Sequence, residues 1–207
     1  MPIWSASTDE AKRYGEKKAA SEREVLRCFA GRATIVRPAD LFGPHDYDRR
    51  HRFVRWPVRA RAGGEMLVAG RPEDTVAFTD ARDLATWVAK IVEGEVRGAF
   101  NVAGPPFTLA ALVDAAITVG GPVTPVWVTR EWLASEGIDR DELPVGAVSS
   151  YAMGSPLAVV RGLGFRPLVA TMADTLAWWD AEGGDAGGWT RAAEQAAIAA
   201  WRAGPGA

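Results

Sequence analysis

The sequence predicts an α/β fold that begins with the closing unit of a parallel sheet. A helical apolar pattern near the start gives way to a short run of β-branched residues and a Gly/Pro loop. Helical and strand patterns then alternate almost to the end, and no segment repeats. Helix, buried strand and loop in that order describe the last unit of a parallel sheet.

The first helix is opened by Ser7-Thr8-Asp9-Glu10, a capping box with Ser7 or Thr8 as cap and Glu10 reaching back. Ala11, Ala19, Ala20, Val25, Leu26 and Phe29 supply apolar positions until Gly31 ends the element. The strand Ala33-Thr34-Ile35-Val36-Arg37-Pro38 follows, stopped by proline, and the loop Ala39-Asp40-Leu41-Phe42-Gly43-Pro44 comes next. Further on the patterns predict a helix near 50–62, strands at 65–69 and 75–79, a helix over 83–92 and a strand at 99–102. Thr108 opens a helix to about Val119 that Gly120-Gly121-Pro122 stops. The run 123–128 is a strand whose Pro125 places it at an edge. Ser155-Pro156 starts a short helix, residues 170–182 form a longer one, and Gly183–Gly188 is a flexible connection. The Ala-rich helix 189–201 is too short to stand alone and is expected to dock on the body or on a partner.

Composition narrows the function. The chain has 207 residues and a net charge of −2, which gives no global attraction to nucleic acid or to an anionic membrane. A single cysteine, Cys28, excludes an internal disulfide, and with two histidines it argues against a structural metal site; no metal is expected. No run reaches the length of a membrane span, and the start does not read as a signal peptide, so a reducing cytoplasm is the expected location.

Tyr14 and Lys18 carry the chemistry. Spaced i, i+4, they share one helix face, where the phenol and the ammonium can converge. A free tyrosine titrates near pH ~10, and an adjacent cation favours its phenolate. Such a tyrosine can pass a proton to or from a carbinol or carbonyl oxygen, a contribution of about 10²–10⁴ in rate. The plain alternative is an amphipathic helix with an exposed lysine and a half-buried tyrosine.

With these residues the chain resembles the extended short-chain dehydrogenase/reductase family, the NAD-dependent epimerases and dehydratases. Arg37-Pro38 with Phe42-Gly43-Pro44 resembles that family's Arg-Pro…Tyr-Gly-Pro segment. The run from Val76 through Phe78-Thr79-Asp80 to Asp83-Leu84-Ala85 resembles its Asp-Val-Ala segment. Phe100-Asn101-Val102-Ala103-Gly104 resembles Phe-Asn-Val-Gly, and Leu163-Gly164-Phe165-Arg166-Pro167 resembles the C-terminal Leu-Gly-Phe-x-Pro. These matches run in order from about residue 7 to 180.

The resemblance implies a partial Rossmann-like parallel sheet plus a substrate-binding lobe. It implies Tyr14 as general acid/base, and Lys18 as the residue that binds the nicotinamide ribose and assists the tyrosine. Pro38 and Leu41 are then expected near the nicotinamide of NAD or NADP. Asp83 is expected to cap the helix that follows it. Three parts are expected: residues 1–48 close the sheet and carry the Tyr-x-x-x-Lys helix. Residues 49–182 form the substrate lobe interleaved with remaining strands, and 183–207 a Gly-rich hinge with an Ala-rich helix.

Arg49, Arg50, Arg52, Arg55, Arg59 and Arg61 occur without an acidic residue among them. They fit a solvated basic helix face with Phe53, Trp56 and Val58 packed inward. By the resemblance they fit equally a pocket for a small anionic substrate, with Arg55, Trp56, Arg71 and Phe78 as substrate contacts. Nucleic-acid contact ranks last because the net charge is negative. Trp127 and Trp132 are further aromatic candidates for a pocket.

Neither Gly-x-Gly-x-x-Gly nor Gly-x-x-Gly-x-x-Gly occurs, and Ser5, Ser7 and Thr8 stand too close to Tyr14 to serve as the family's upstream Ser or Thr. The resemblance therefore implies that both lie before Met1. On this reading the chain is the C-terminal part of a longer enzyme, a split gene product or a misassigned start, inactive by itself, loosely folded or self-associating. Its expected partners are a small-molecule substrate and either a second copy or the absent half. A non-catalytic binding or regulatory module acting with a partner chain is the alternative.

Overall fold

The computed structural model describes residues 8–45, 51–138, 154–184 and 189–204. In chain order the elements are α1 (Thr8–Cys28), β1 (Thr34–Pro38), β2 (Leu41–Phe42), α2 (Arg55–Arg61), β3 (Glu65–Ala69), β4 (Thr75–Val76) and β5 (Thr79–Asp80). They continue with α3 (Ala81–Glu93), β6 (Gly98–Val102), β7 (Phe107–Thr108), α4 (Leu109–Gly120), β8 (Thr124–Val128), α5 (Arg130–Ser135), α6 (Pro156–Val160), α7 (Leu168–Glu182) and α8 (Arg191–Ala203). The α/β class expected from the pattern is what the chain adopts. The expected cap Ser7, Arg49, Arg50, residues 185–188 of the hinge and the end beyond Gly204 lie outside the described residues.

The chain divides into two compact units. The first takes in Met1–Leu41, Ala77–Pro106 and Ser149–Arg166. Its sheet is the parallel pair β1 and β6, in register from Thr34 opposite Gly98 to Pro38 opposite Val102. Parallel strands need a long crossover, so the pairing joins segments more than sixty residues apart in sequence. Pro38 has no N–H to give and closes the strand; the next residue continues the pairing, its Ala39 N–H donating to Val102 O at 2.8 Å.

Against this pair pack α3, α6 and the turn that follows it, where Trp87, Ile91, Ala158 and Leu163 form a core with Phe100 and Val102. The Trp87 and Phe100 rings meet edge to face at 5.4 Å, and Trp87 Nε1 donates to Arg161 O at 3.2 Å. The indole thus buries its ring and still satisfies its polar edge.

The α3 start corrects an expectation. Asp83 does not cap it; Asp80 does, accepting from Arg82 N at 2.8 Å. Asp83 lies in the first turn and accepts from both the backbone N–H and the Nε of Arg166, at 2.9 and 2.8 Å. The reason is geometric: the chain turns out of β5 directly into the helix, three residues earlier than the apolar pattern begins.

The second unit takes in Phe42–Val76, Phe107–Val148 and Pro167–Ala207. Its parallel pair is β3 and β8, from Glu65 opposite Thr124 to Ala69 opposite Val128. Pro125 is tolerated because β8 pairs on one side only among the described residues. The stretch 75–79 is not one strand: β4 pairs antiparallel with β7, and β5 is separate. Thr108 caps α4, its Oγ1 accepting from Ala111 N at 3.1 Å, and Gly183, at φ 69°, ends α7. The short α5, capped by Thr129, is an element that the pattern did not predict.

The C-terminal helix docks as expected. α8 lays Ala197 and Ile198 on Leu67, Ala69, Val128 and Leu133, with Trp132 and Trp201 edge to face at 5.3 Å. Its Glu194 is buried and accepts from Leu67 N at 2.9 Å, from Arg59 Nε at 2.7 Å and from Arg191 Nη1 at 2.8 Å. Burial pushes this carboxyl upward in pKa despite those donors. Among the described residues no helix is long and apolar enough to cross a membrane.

Candidate functional site

The first unit holds Tyr14, Lys18, Pro38, Leu41 and Phe78, and the second holds Arg55, Trp56 and Arg71. On α1, Lys18 Nζ lies 5.5 Å from the centroid of the Tyr14 ring, over its face. One helical turn brings the pair together, as the spacing requires. Tyr14 is 56% exposed, so its hydroxyl-bearing ring stands on an open helix surface.

One ion pair links α1 to β1. Arg37 donates through Nε to Glu22 Oε1 at 2.8 Å and through Nη2 to Glu22 Oε2 at 2.6 Å. Tyr14 lies two turns before Glu22, about 12 Å back along the helix. Open α/β sheets bind ligands at the carboxyl end of their strands.

Pro38 closes β1 at the same end and is exposed, and Leu41 is 37% exposed. Phe78 is buried, and Gly104 packs so tightly on it that a Cβ there would lie 1.9 Å from Phe78 O. This glycine is required for close approach of two backbones. Ser155, also buried, accepts from Ala103 N at 2.6 Å and donates to Ala103 O at 2.9 Å, pinning the segment that leaves β6. Between these segments lies a cavity of about 400 Å³, its wall including Ala77, Pro105, Pro106, Pro156, Val159 and Phe165. Ser155 and this cavity were not picked out from the sequence; the Ser155-Pro156 pair signalled only a helix start.

In the second unit Arg55 and Trp56 are buried in the first turn of α2, and Trp56 Nε1 has no hydrogen-bond partner among the described residues. Arg71 is exposed in the turn after β3, where its N–H donates to Asp74 Oδ2 at 3.0 Å. Arg130 Nη2 donates to the same oxygen at 2.8 Å. Two other arginines of the basic run are engaged elsewhere: Arg59 with Glu194, and Arg61 with Asp180 through two bonds of 2.8 Å. They do not form a free basic face. Trp132 packs in the α8 cluster. Among the described residues no group of three or more His, Cys, Asp or Glu is placed to hold a metal ion.

The Tyr14–Lys18 helix thus belongs to the unit that holds the parallel pair β1 and β6. Residues 5–103 match the sequence model of the NAD dependent epimerase/dehydratase family. Through that segment the chain is related to this family, as its motifs indicated.

Comparison with curated protein sequences gives no significant match. Among solved structures it is similar to the Bordetella bronchiseptica enzyme WbmH in complex with NAD⁺, at TM-score 0.55 and 16% identity, over 80% of this chain and 51% of that one. It is similar to RMD from Pseudomonas aeruginosa complexed with NADPH, at 0.53 and 16%, over 77% and 51%. MoeE5 in complex with UDP-glucose and NAD aligns at 0.55 and 19%, over 83% and 56%. At these identities the likeness shows a shared fold, and the chain spans about half the length of these proteins.

Proposed function

We propose that this chain carries the proton-transfer part of an NAD(P)-dependent oxidoreductase, epimerase or dehydratase of the extended short-chain dehydrogenase type. The observation that carries the reading is the Tyr14–Lys18 pair, 5.5 Å from ammonium to ring centroid, on the helix of the unit that holds β1 and β6. Exposed Pro38 and Leu41 at the carboxyl end of β1 leave room for a nicotinamide and its ribose, so the residues present fit that end of the cofactor. When bound, the nicotinamide exchanges hydride with a substrate carbon. Tyr14 gives or takes the matching proton at the oxygen on that carbon, through its hydroxyl. Lys18, whose ammonium lies over the Tyr14 ring, would hold the ribose hydroxyls. In the second unit Arg55, Trp56 and Arg71 are the proposed contacts for a small molecule carrying negative charge in a cytoplasmic setting, and in the first Phe78 is proposed separately as a substrate contact.

A second reading has its own support. Tyr14, Val25 and Leu26 are exposed on α1 and Phe29 just after it, and no residue of the helix whose side chain is described is buried. An apolar helix face of that kind favours a binding or regulatory module that acts with a partner, either a second copy or a nucleotide-binding chain.

Calorimetric titration of the purified chain with NAD⁺ and with NADP⁺ separates the two. Micromolar binding lost in Lys18→Ala supports the catalytic reading. Absence of binding up to millimolar cofactor rejects catalysis by the chain alone and leaves the partner-dependent reading.

A further inference from the structure

The 400 Å³ cavity of the first unit has a composition unlike that of an anion or sugar site. Ala77, Pro105, Pro106, Pro156, Val159 and Phe165 supply ring and methyl surface, and among the described residues no charged side chain lines it. Its hydroxyl, Ser155 Oγ, is already used as acceptor and donor by Ala103. Three of the wall positions are prolines, which carry no backbone N–H. A charged ligand entering here would lose hydration and find no counter-charge.

Position adds to composition. Ala103–Pro106 continue directly from the carboxyl end of β6, the edge at which parallel sheets hold ligands. The volume lies within the range of small-molecule sites. The wall is fixed rather than adaptable: Ser155 clamps Ala103, and Gly104 is locked against Phe78.

We infer that this cavity is a binding site for an uncharged, flat aromatic ring, held between the faces of Phe165 and the prolines. The inference does not depend on hydride-transfer chemistry and requires no cofactor.

The test uses the full chain, labelled with ¹⁵N, and two probes, indole and benzoate. Indole should bind saturably, with a dissociation constant of order 1 mM for a ligand of this size. Its amide shifts should fall on Ala77, Ala103, Gly104, Val159 and Phe165. Benzoate should bind at least about ten times more weakly, because its carboxylate is desolvated without a partner. Val159→Trp, at a half-exposed position on α6, should fill the space and abolish indole binding while the spectrum stays folded. Indole shifts that map elsewhere, equal binding of benzoate, or no saturation by 10 mM (about ten times the expected constant) would each overturn the inference without touching the role of Tyr14.

Discussion

Arg37 grips Glu22 with two nearly parallel hydrogen bonds, 2.8 and 2.6 Å, and so ties the middle of α1 to the end of β1. The forked geometry matters because no residue of the helix whose side chain is described is buried. A bidentate pair fixes direction as well as distance.

The arginine holds the Glu22 carboxyl below its ordinary value of 4.5. With the folded pKa depressed, the pair's contribution is complete above that value and is lost as pH falls through the lower, folded one. Arg37→Ala should remove this acid dependence while lowering stability by no more than about 1 kcal/mol. Urea unfolding at pH 7 and pH 3.5 checks both, and an unchanged pH dependence in the variant would count against the pair.

Tyr14→Phe should leave the melting temperature unchanged, because the hydroxyl lies on an exposed helix surface. In any assay where the chain is active, alone or with a partner, the turnover should fall by about 10²–10⁴. Lys18→Met should weaken cofactor binding as well, so the two variants separate proton transfer from binding.

Two glycines should answer alanine in opposite directions. At Gly15, in α1, a Cβ meets nothing within 4 Å, so Gly15→Ala should strengthen the helix by about 1 kcal/mol. At Gly104 the same methyl lies 1.9 Å from Phe78 O, and the backbone must move. Gly104→Ala should cost about 1–3 kcal/mol. Circular dichroism melts of both variants provide the comparison.

Glu194→Ala should be among the most damaging changes. It leaves Arg59, mostly buried, without its carboxylate and frees the Leu67 N–H, at a cost of about 3–5 kcal/mol. Because burial raises the Glu194 pKa, stability from this group is greatest below its unfolded value and declines as pH rises through the folded one. The alanine variant should lose that slope, as unfolding between pH 4 and pH 8 would show.

Much of the candidate site was legible because its signals are local. Tyr14 and Lys18 lie four residues apart on a helix, and helix spacing alone brings them together. Thr108 was read correctly as a cap, since only one hydroxyl stands before that apolar run. Asp83 was misread because Asp80 stands three residues away and local pattern cannot choose between two acids; Arg166, 83 residues further on, decides it. The arginine run was ambiguous for the same reason. Arg59 and Arg61 find their carboxylates 135 and 119 residues away. The cavity could not be read at all, because its walls come from three separate stretches of chain.

The seat of α8 has a consequence for synthesis. The β3–β8 sheet is complete in sequence by Val128, yet the helix that covers Leu67 and Val128 begins more than sixty residues later. Until α8 has left the ribosome that apolar surface has no cover, so the second unit closes late in synthesis. A premature stop before Thr190 would therefore yield a nascent chain with a bare sheet, a substrate for chaperones and proteases rather than a shorter working protein.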